Sequence, residues 1–252
     1  MALTWATRRR VMIYGGAALI ALTLLAGVVI AVVYEAPSCT DGKQNQGEAG
    51  VDCGGSCAYL CESQVQELRT PLVRALPTAT GRTDVVAYIE NRNQNAEAKG
   101  ARYTVEVYAD GGLRIGSQSG TVDIPARATV PVFVPGVVAG IGAAPQAFIT
   151  FEDLQWRNAR GEAEPLSVGS TELLSGDAPR VRAVIENPGP RATYNRTVVA
   201  TVFEASGRAI AASQTVLRSV PAGGSTEAIF TWTAPFAEAA ARVEVRVVPE
   251  LP

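Results

Sequence analysis

The chain has 252 residues and not one histidine. That absence removes serine–histidine and cysteine–histidine catalysis, imidazole metal sites and imidazole proton shuttles together. Lysine is nearly missing as well, with only Lys43 and Lys99 against twenty arginines, a skew that genome composition produces as readily as selection. No Asp or Glu precedes Glu35, whereas Arg8, Arg9 and Arg10 all do. From Glu35 onward the count is therefore 19 basic residues (22 less those three) and 24 acidic ones, a balance of -5. A mildly acidic body lacks the basic face that displaces counterions, so nucleic acid is excluded as a general partner. Charged residues make up only 18% of the chain against 47% hydrophobic, which excludes a disordered chain. Beyond about Val65 no helical period of any length occurs, which excludes an α-helical body.

What is present begins with VMIYGGAALIALTLLAGVVIAVVY, Val11 to Tyr34, a run without charge. As a helix it reaches roughly 36 Å at about 1.5 Å per residue, enough to cross a hydrocarbon core of about 30 Å. Arg8 to Arg10 abut its start and Glu35 its end, so the positive-inside rule predicts a single pass through the plasma membrane. The N-terminus is then cytoplasmic and the C-terminal bulk extracytoplasmic. Trp5, Tyr14 and Tyr34 sit where interfacial rings gather. A cleaved signal peptide shares the basic start, but the apolar run exceeds a usual h-region and no small-x-small site follows it cleanly. Ala36-Pro37-Ser38 before Cys39 is a poor lipidation signal.

All four cysteines, Cys39, Cys53, Cys57 and Cys61, lie within a stretch of 23 residues beyond this run. An even, clustered set on the oxidising side of a membrane predicts two disulfides, with three connectivities open. A tetrathiolate zinc site is the competitor, but it prefers two CxxC pairs, and the spacings here are thirteen, three and three. Asp41, Asn45, Glu48 and Asp52 supply oxygen donors along the same Gly-rich loop, the raw material of a calcium site. The loop is not an EF-hand, because Lys43 and Gln46 occupy positions that need an oxygen ligand and a glycine. Asx-type turns in a disulfide-stapled knot use the same residues. The text CTDGKQNQGEAGVDCGGSC resembles a small module, C-x-DG-x-x-N-x-x-E-x-x-x-DCGG-x-C, that recurs in cell-surface and secreted proteins. In that module the last two cysteines usually stand closer than Cys57 and Cys61 do.

Downstream, TDVVAYIEN (Thr83 to Asn91), RYTVEVY (Arg102 to Tyr108), QAFITFE (Gln146 to Glu152), TVVATVFE (Thr197 to Glu204) and RVEVRVV (Arg242 to Val248) read as strands. In the last, Val243, Val245 and Val247 share one face and Arg242, Glu244 and Arg246 the other, the pattern of a sheet with one buried side. Ile89-Glu90-Asn91 returns 96 residues later as Ile185-Glu186-Asn187, and Pro125-Ala126 returns as Pro221-Ala222 at the same offset. Between them Val107-Tyr108 corresponds to Val202-Phe203, each before a Gly-containing turn. Ordered landmarks at nearly one spacing indicate a repeat, and its length suits an immunoglobulin-like sandwich.

The predicted organisation is a cytoplasmic tail (1–10), a transmembrane helix (11–34), a cysteine-rich module (35–62) and two tandem immunoglobulin-like antiparallel β-sandwiches (63–160 and 161–252). The fold class is thus mainly β. RNARGEAEP, Arg157 to Pro165, reads as the linker. This arrangement resembles a family of membrane-anchored bacterial envelope proteins, a resemblance that implies no particular activity.

The candidate functional residues are few. Asn91, Asn93, Asn95 and Asn187 read as turn formers after strands, and Trp156 and Trp232 as core residues. Asn195-Arg196-Thr197 fits a glycosylation sequon. Glu152-Asp153 and Glu162/Glu164 are carboxylate pairs of the kind a glycosidase needs. Adjacent strand residues point to opposite faces, however, and the second pair falls in the linker. No catalytic residue and no cofactor other than calcium is expected. The function expected is therefore non-enzymatic, a surface binding, adhesion or spacer module with a protein or glycan partner. An accessory subunit of a cell-envelope complex, or a carboxylate-dependent hydrolase on a β-scaffold, are the alternatives.

Overall fold

The computed structural model describes residues 5–33, 38–45, 47–78, 81–139, 146–161 and 166–252. Tyr34 and Glu35 at the end of the apolar run, Gln46 of the loop, and Glu162, Glu164 and Pro165 of the linker lie outside them. The chain forms two compact units, residues 1–52 and 53–252.

In the first unit, α1 runs over Trp5–Val33 and no residue in it is buried. It begins six residues before the apolar run, so Arg8, Arg9 and Arg10 form its first turns. This is one helix long and apolar enough to cross a membrane. It is apolar on every side, as a lipid-facing helix is and a helix packed on one face of a soluble core is not.

Among the described residues the second unit has thirteen strands. The first sandwich uses β1 (Arg69–Pro77), β2 (Arg82–Asn91), β3 (Ala96–Tyr108), β4 (Arg114–Ile124), β5 (Ala128–Ala139), β6 (Gln146–Glu152) and β7 (Trp156–Asn158). The second uses β8 (Ser167–Leu174), β9 (Arg180–Asn187), β10 (Thr193–Phe203), β11 (Ala209–Val220), β12 (Gly224–Thr231) and β13 (Arg242–Val247). All pairings are antiparallel. Sheet β1-β2-β5 faces sheet β4-β3-β6, to which β7 adds beside the start of β3. In the second sandwich, sheet β12-β9-β8 faces sheet β11-β10-β13. Each pair of sheets closes a core. Val85, Ile89, Val105, Ile124, Val130 and Trp156 fill the first, and Val181, Ile185, Val198, Val220 and Phe230 fill the second. Trp232 packs against the second core while its indole N–H donates to Ala212 O at 3.3 Å.

The matching Ile-Glu-Asn segments end β2 and β9. Asn91 and Asn187 form the expected Asx-type turns, and each is only 1% exposed, so the turns are buried staples. Asn91 Nδ2 donates to Ala96 O and Pro125 O, both at 2.8 Å, and its Oδ1 accepts Asn93 N–H at 3.0 Å. Asn187 Nδ2 donates to Arg191 O at 2.8 Å and Val220 O at 3.2 Å, while Oδ1 accepts Gly189 N–H at 3.0 Å. Each amide thus ties the end of one strand to the following loop and to the turn that joins the fourth and fifth strands. That turn repeats too. Arg127 N–H donates to Asn93 O and Gly223 N–H to Gly189 O, both at 3.1 Å, with φ 54° and 59°. The first sandwich therefore holds an arginine in the left-handed region where the second has glycine.

A third apolar cluster joins the sandwiches. Leu76, Val86 and Tyr88 of the β1-β2-β5 sheet pack on Val199, Phe203, Ala209 and Ala212 of β10 and β11. Central strand β2 is consequently buried on both faces, with Val85, Ala87 and Ile89 turned to the first core and Val86 and Tyr88 to the second sandwich. The charged face of β13 is not simply solvated. The Arg242 guanidinium lies 4.2 Å from the Phe203 ring centre and that of Arg246 5.1 Å from the Tyr88 ring, so they roof this cluster.

Two outcomes follow. Asn91→Ala strips a buried loop of four hydrogen bonds and Asn187→Ala of three, and each should lower unfolding stability by about 2–4 kcal/mol in urea titrations. The 166–252 segment alone should unfold cooperatively by circular dichroism, because its core closes without help. Its melting temperature should lie below that of 53–252, where a single transition is expected, because separation exposes Val199, Phe203 and Ala212.

Candidate functional site

The polar residues singled out from sequence gather in one loop of the first unit. Asp52, at φ 56°, turns its carboxylate inward. Its Oδ1 accepts Asp41 N–H at 2.9 Å and Gly42 N–H at 3.1 Å, and its Oδ2 accepts Gly42 N–H at 2.9 Å. Asp41 Oδ1 accepts Lys43 N–H at 2.9 Å, an Asx turn, and its Oδ2 accepts the Asn45 amide at 2.8 Å. Buried Glu48 accepts the N–H groups of Asn45 and Asp52 at 3.3 Å each. The structure brings Asp41, Asn45, Glu48 and Asp52 together, and the carboxylate oxygens of Asp41, Glu48 and Asp52 accept from backbone amides and from the Asn45 side chain. A cation here would have to compete with those amides for the same lone pairs. The Asn45 amide, then the Lys43 N–H, holds the Asp41 carboxyl below the usual carboxylate range.

No cysteine is free among the described residues. Cys53 pairs with Cys61, and Cys39 and Cys57 are also oxidised. The Cys53–Cys61 bond closes a short loop that docks on β7. Tyr59 bridges to Arg157, and Leu60 N–H donates to Trp156 O at 2.8 Å. Arg157 is the hub of this corner. Its Nε meets Glu97 Oε1 at 2.9 Å, with the Glu97 side chain 2% exposed, and its Nη2 donates to Pro252 O at 3.2 Å. The segment after β13 is thereby drawn onto the first sandwich. Leu251 is buried, and its N–H donates to Asp123 Oδ2 at 2.7 Å. Arg196 pairs with Glu250 on the same segment. This clasp was invisible in sequence, because Asp123 and Arg157 carry no motif and act on residues far along the chain.

The remaining candidates stay apart. Glu152 and Asp153 are both exposed at the end of β6, and Glu162 and Glu164 lie outside the described residues. Asn93 is buried and exchanges hydrogen bonds with the Gln66 backbone at 2.7 and 2.9 Å. Asn95 offers its carbonyl to Ala159 N–H at 2.8 Å. Asn195 is exposed on β10 at φ 54°.

No family model matches the sequence. No curated protein matches it either. Among solved structures, red sea bream transglutaminase aligns with 73% of this chain and 29% of its own, at 15% identity and TM-score 0.24. A beta-glucuronidase from glycoside hydrolase family 2 aligns over 63% and 22%, at 12% identity and TM-score 0.19. The Bacteroides uniformis beta-glucuronidase aligns over 70% and 25%, at 10% identity and TM-score 0.21. The chain spans less than a third of each of these proteins, and at such TM-scores the likenesses bear on neither activity nor ligand.

The lowered Asp41 pKa has a pH consequence. The contribution of its carboxylate is complete above the unfolded aspartate value of about 3.9 and is lost as pH falls through the lower folded value. The protection of the Lys43 amide, its exchange rate taken against the intrinsic rate at each pH, should therefore fall as the pH drops below about 4, and Asp41→Ala should show the low protection at neutral pH.

Proposed function

We propose that this chain is a non-enzymatic, membrane-anchored protein of a bacterial envelope, whose tandem sandwiches form a surface binding, adhesion or spacer body outside the cytoplasm. The observation that carries the reading is α1. Its apolar run from Val11 to Val33 is exposed throughout and fits a bilayer. Arg8 to Arg10 at its start support a cytoplasmic N-terminus. Four oxidised cysteines support an oxidising compartment on the other side. A spacer or binding role is supported by stiffness. The third cluster, the two arginines roofing it and the segment clasped by Asp123 and Arg157 make the two sandwiches one body.

The hydrogen bonding of the 38–52 loop supports turn chemistry as the role of Asp41, Asn45, Glu48 and Asp52.

Topology is the direct test. Cysteines introduced at Thr4 and at Asp110, in an exposed turn between β3 and β4, should respond differently to a membrane-impermeant maleimide on intact cells. Asp110→Cys should label and Thr4→Cys should label only after lysis. The reverse pattern would invert the reading.

A further inference from the structure

The chain contains two Asp-Gly dipeptides, Asp41-Gly42 and Asp110-Gly111. Such a dipeptide can react with itself. The glycine nitrogen attacks the side-chain carboxyl carbon of the residue before it, since glycine has no Cβ to obstruct the approach and its backbone turns freely. The reaction needs a neutral carboxyl, because a carboxylate is a poor electrophile. It also needs a glycine N–H that is not already engaged and a backbone loose enough to bring the two groups together. Sequence alone makes the two dipeptides equivalent, and the structure separates them.

Gly42 and Gly111 are both exposed and both at positive φ, 72° and 85°, so neither exposure nor glycine geometry distinguishes them. Hydrogen bonding does. Gly42 N–H donates to both oxygens of Asp52, at 3.1 and 2.9 Å. The Asp41 carboxylate accepts from Lys43 N–H at 2.9 Å, the Asn45 amide at 2.8 Å and Ser38 N–H at 3.3 Å. Those contacts hold its carboxyl below the usual range, which leaves less of the neutral acid that the reaction consumes. Nucleophile and electrophile are thus both engaged elsewhere. At the second dipeptide neither is. Asp110 and Gly111 are the central residues of the turn 109–112 between β3 and β4, which Gly112 N–H closes on Ala109 O at 3.1 Å and Ala109 N–H on Leu113 O at 2.9 Å. The bonds that close the turn use the residues on either side. Gly111 N–H and the Asp110 carboxyl make no hydrogen bond or ion pair among the described residues. Asp110, Gly111, Gly112 and Leu113 are all exposed, and Gly112 at φ 80° adds a second pliable unit.

We propose that Asp110 is a site of spontaneous backbone modification, where Gly111 N closes a cyclic imide on the Asp110 side chain and water reopens it to isoaspartate, while Asp52 keeps Asp41 unreactive. In the first step the bond from Gly111 N to Asp110 Cγ forms, and the carboxyl hydroxyl leaves as water with the amide proton. In the second step one water adds back. Addition at the side-chain carbonyl restores aspartate. Addition at the main-chain carbonyl leaves the chain running through Cβ, with the former main-chain carboxyl as the side group. Nothing is oxidised or reduced, and water is the only co-reactant. The product keeps the mass and charge of the original and lengthens the turn by one methylene.

The test follows the full chain in detergent, held near neutral pH for weeks and mapped as proteolytic peptides. Isoaspartate, seen as a peptide of unchanged mass and shifted retention, should accumulate at Asp110 roughly tenfold faster than at Asp41, where Gly42 N–H must first leave an ionised acceptor. Asp110→Glu, which would have to close a larger ring, should abolish the shifted peptide without changing the circular dichroism spectrum. Asp52→Ala should bring the rate at Asp41 close to that at Asp110 and leave Asp110 itself unaffected. Equal rates at the two sites of the unsubstituted chain, or a rate at Asp41 that Asp52→Ala does not raise, would each overturn the proposal.

Discussion

The burial of one sheet on both of its faces governs the larger unit. A sandwich sheet ordinarily turns one face to its partner and the other to water. Here the β1-β2-β5 sheet turns Val85, Ala87 and Ile89 into the first core and gives Leu76, Val86 and Tyr88 to the second sandwich. Once that outer face is apolar, the second sandwich has to lie against it or leave a hydrophobic patch in water. The apolar residues on β10 and β11, the arginines stacked on Phe203 and Tyr88, and the clasp around residues 249–252 all serve that one contact. Two similar modules become a body that does not bend in the middle.

The fold was legible where periodicity carries information. Alternation in QAFITFE and RVEVRVV marks β6 and β13, and the mainly β architecture with one apolar helix follows from such runs and from Val11 to Val33. The recurrence of Ile-Glu-Asn at one offset pointed to Asn91 and Asn187, whose equivalent bonds hold equivalent turns. Their burial was not legible, because asparagine after a strand looks the same whether it caps a solvated turn or staples a closed one. Nor was the double burial of β2. DVVAYI reads as a strand, but a run apolar on both faces gives no sign of which neighbour covers the second.

The candidate site was legible as a set of residues and not as a chemistry. Asp41, Asn45, Glu48 and Asp52 do meet in one loop. The direction in which their oxygens point depends on Gly42 and on Asp52 at positive φ, which present backbone amides where a cation would otherwise sit. Composition fixes how many donors exist and leaves backbone geometry to decide what they face.

The corner around Arg157 also sets how the larger unit carries load. Tyr59 joins Arg157 on one side and Pro252 joins it on the other, so the segments before β1 and after β13 meet at one residue. Tension drawn between them is shared by that fastening, with the Glu97 carboxylate beneath it, and by the Leu251–Asp123 and Glu250–Arg196 contacts beside it, so load entering at this corner passes at once to β3, β4 and β10.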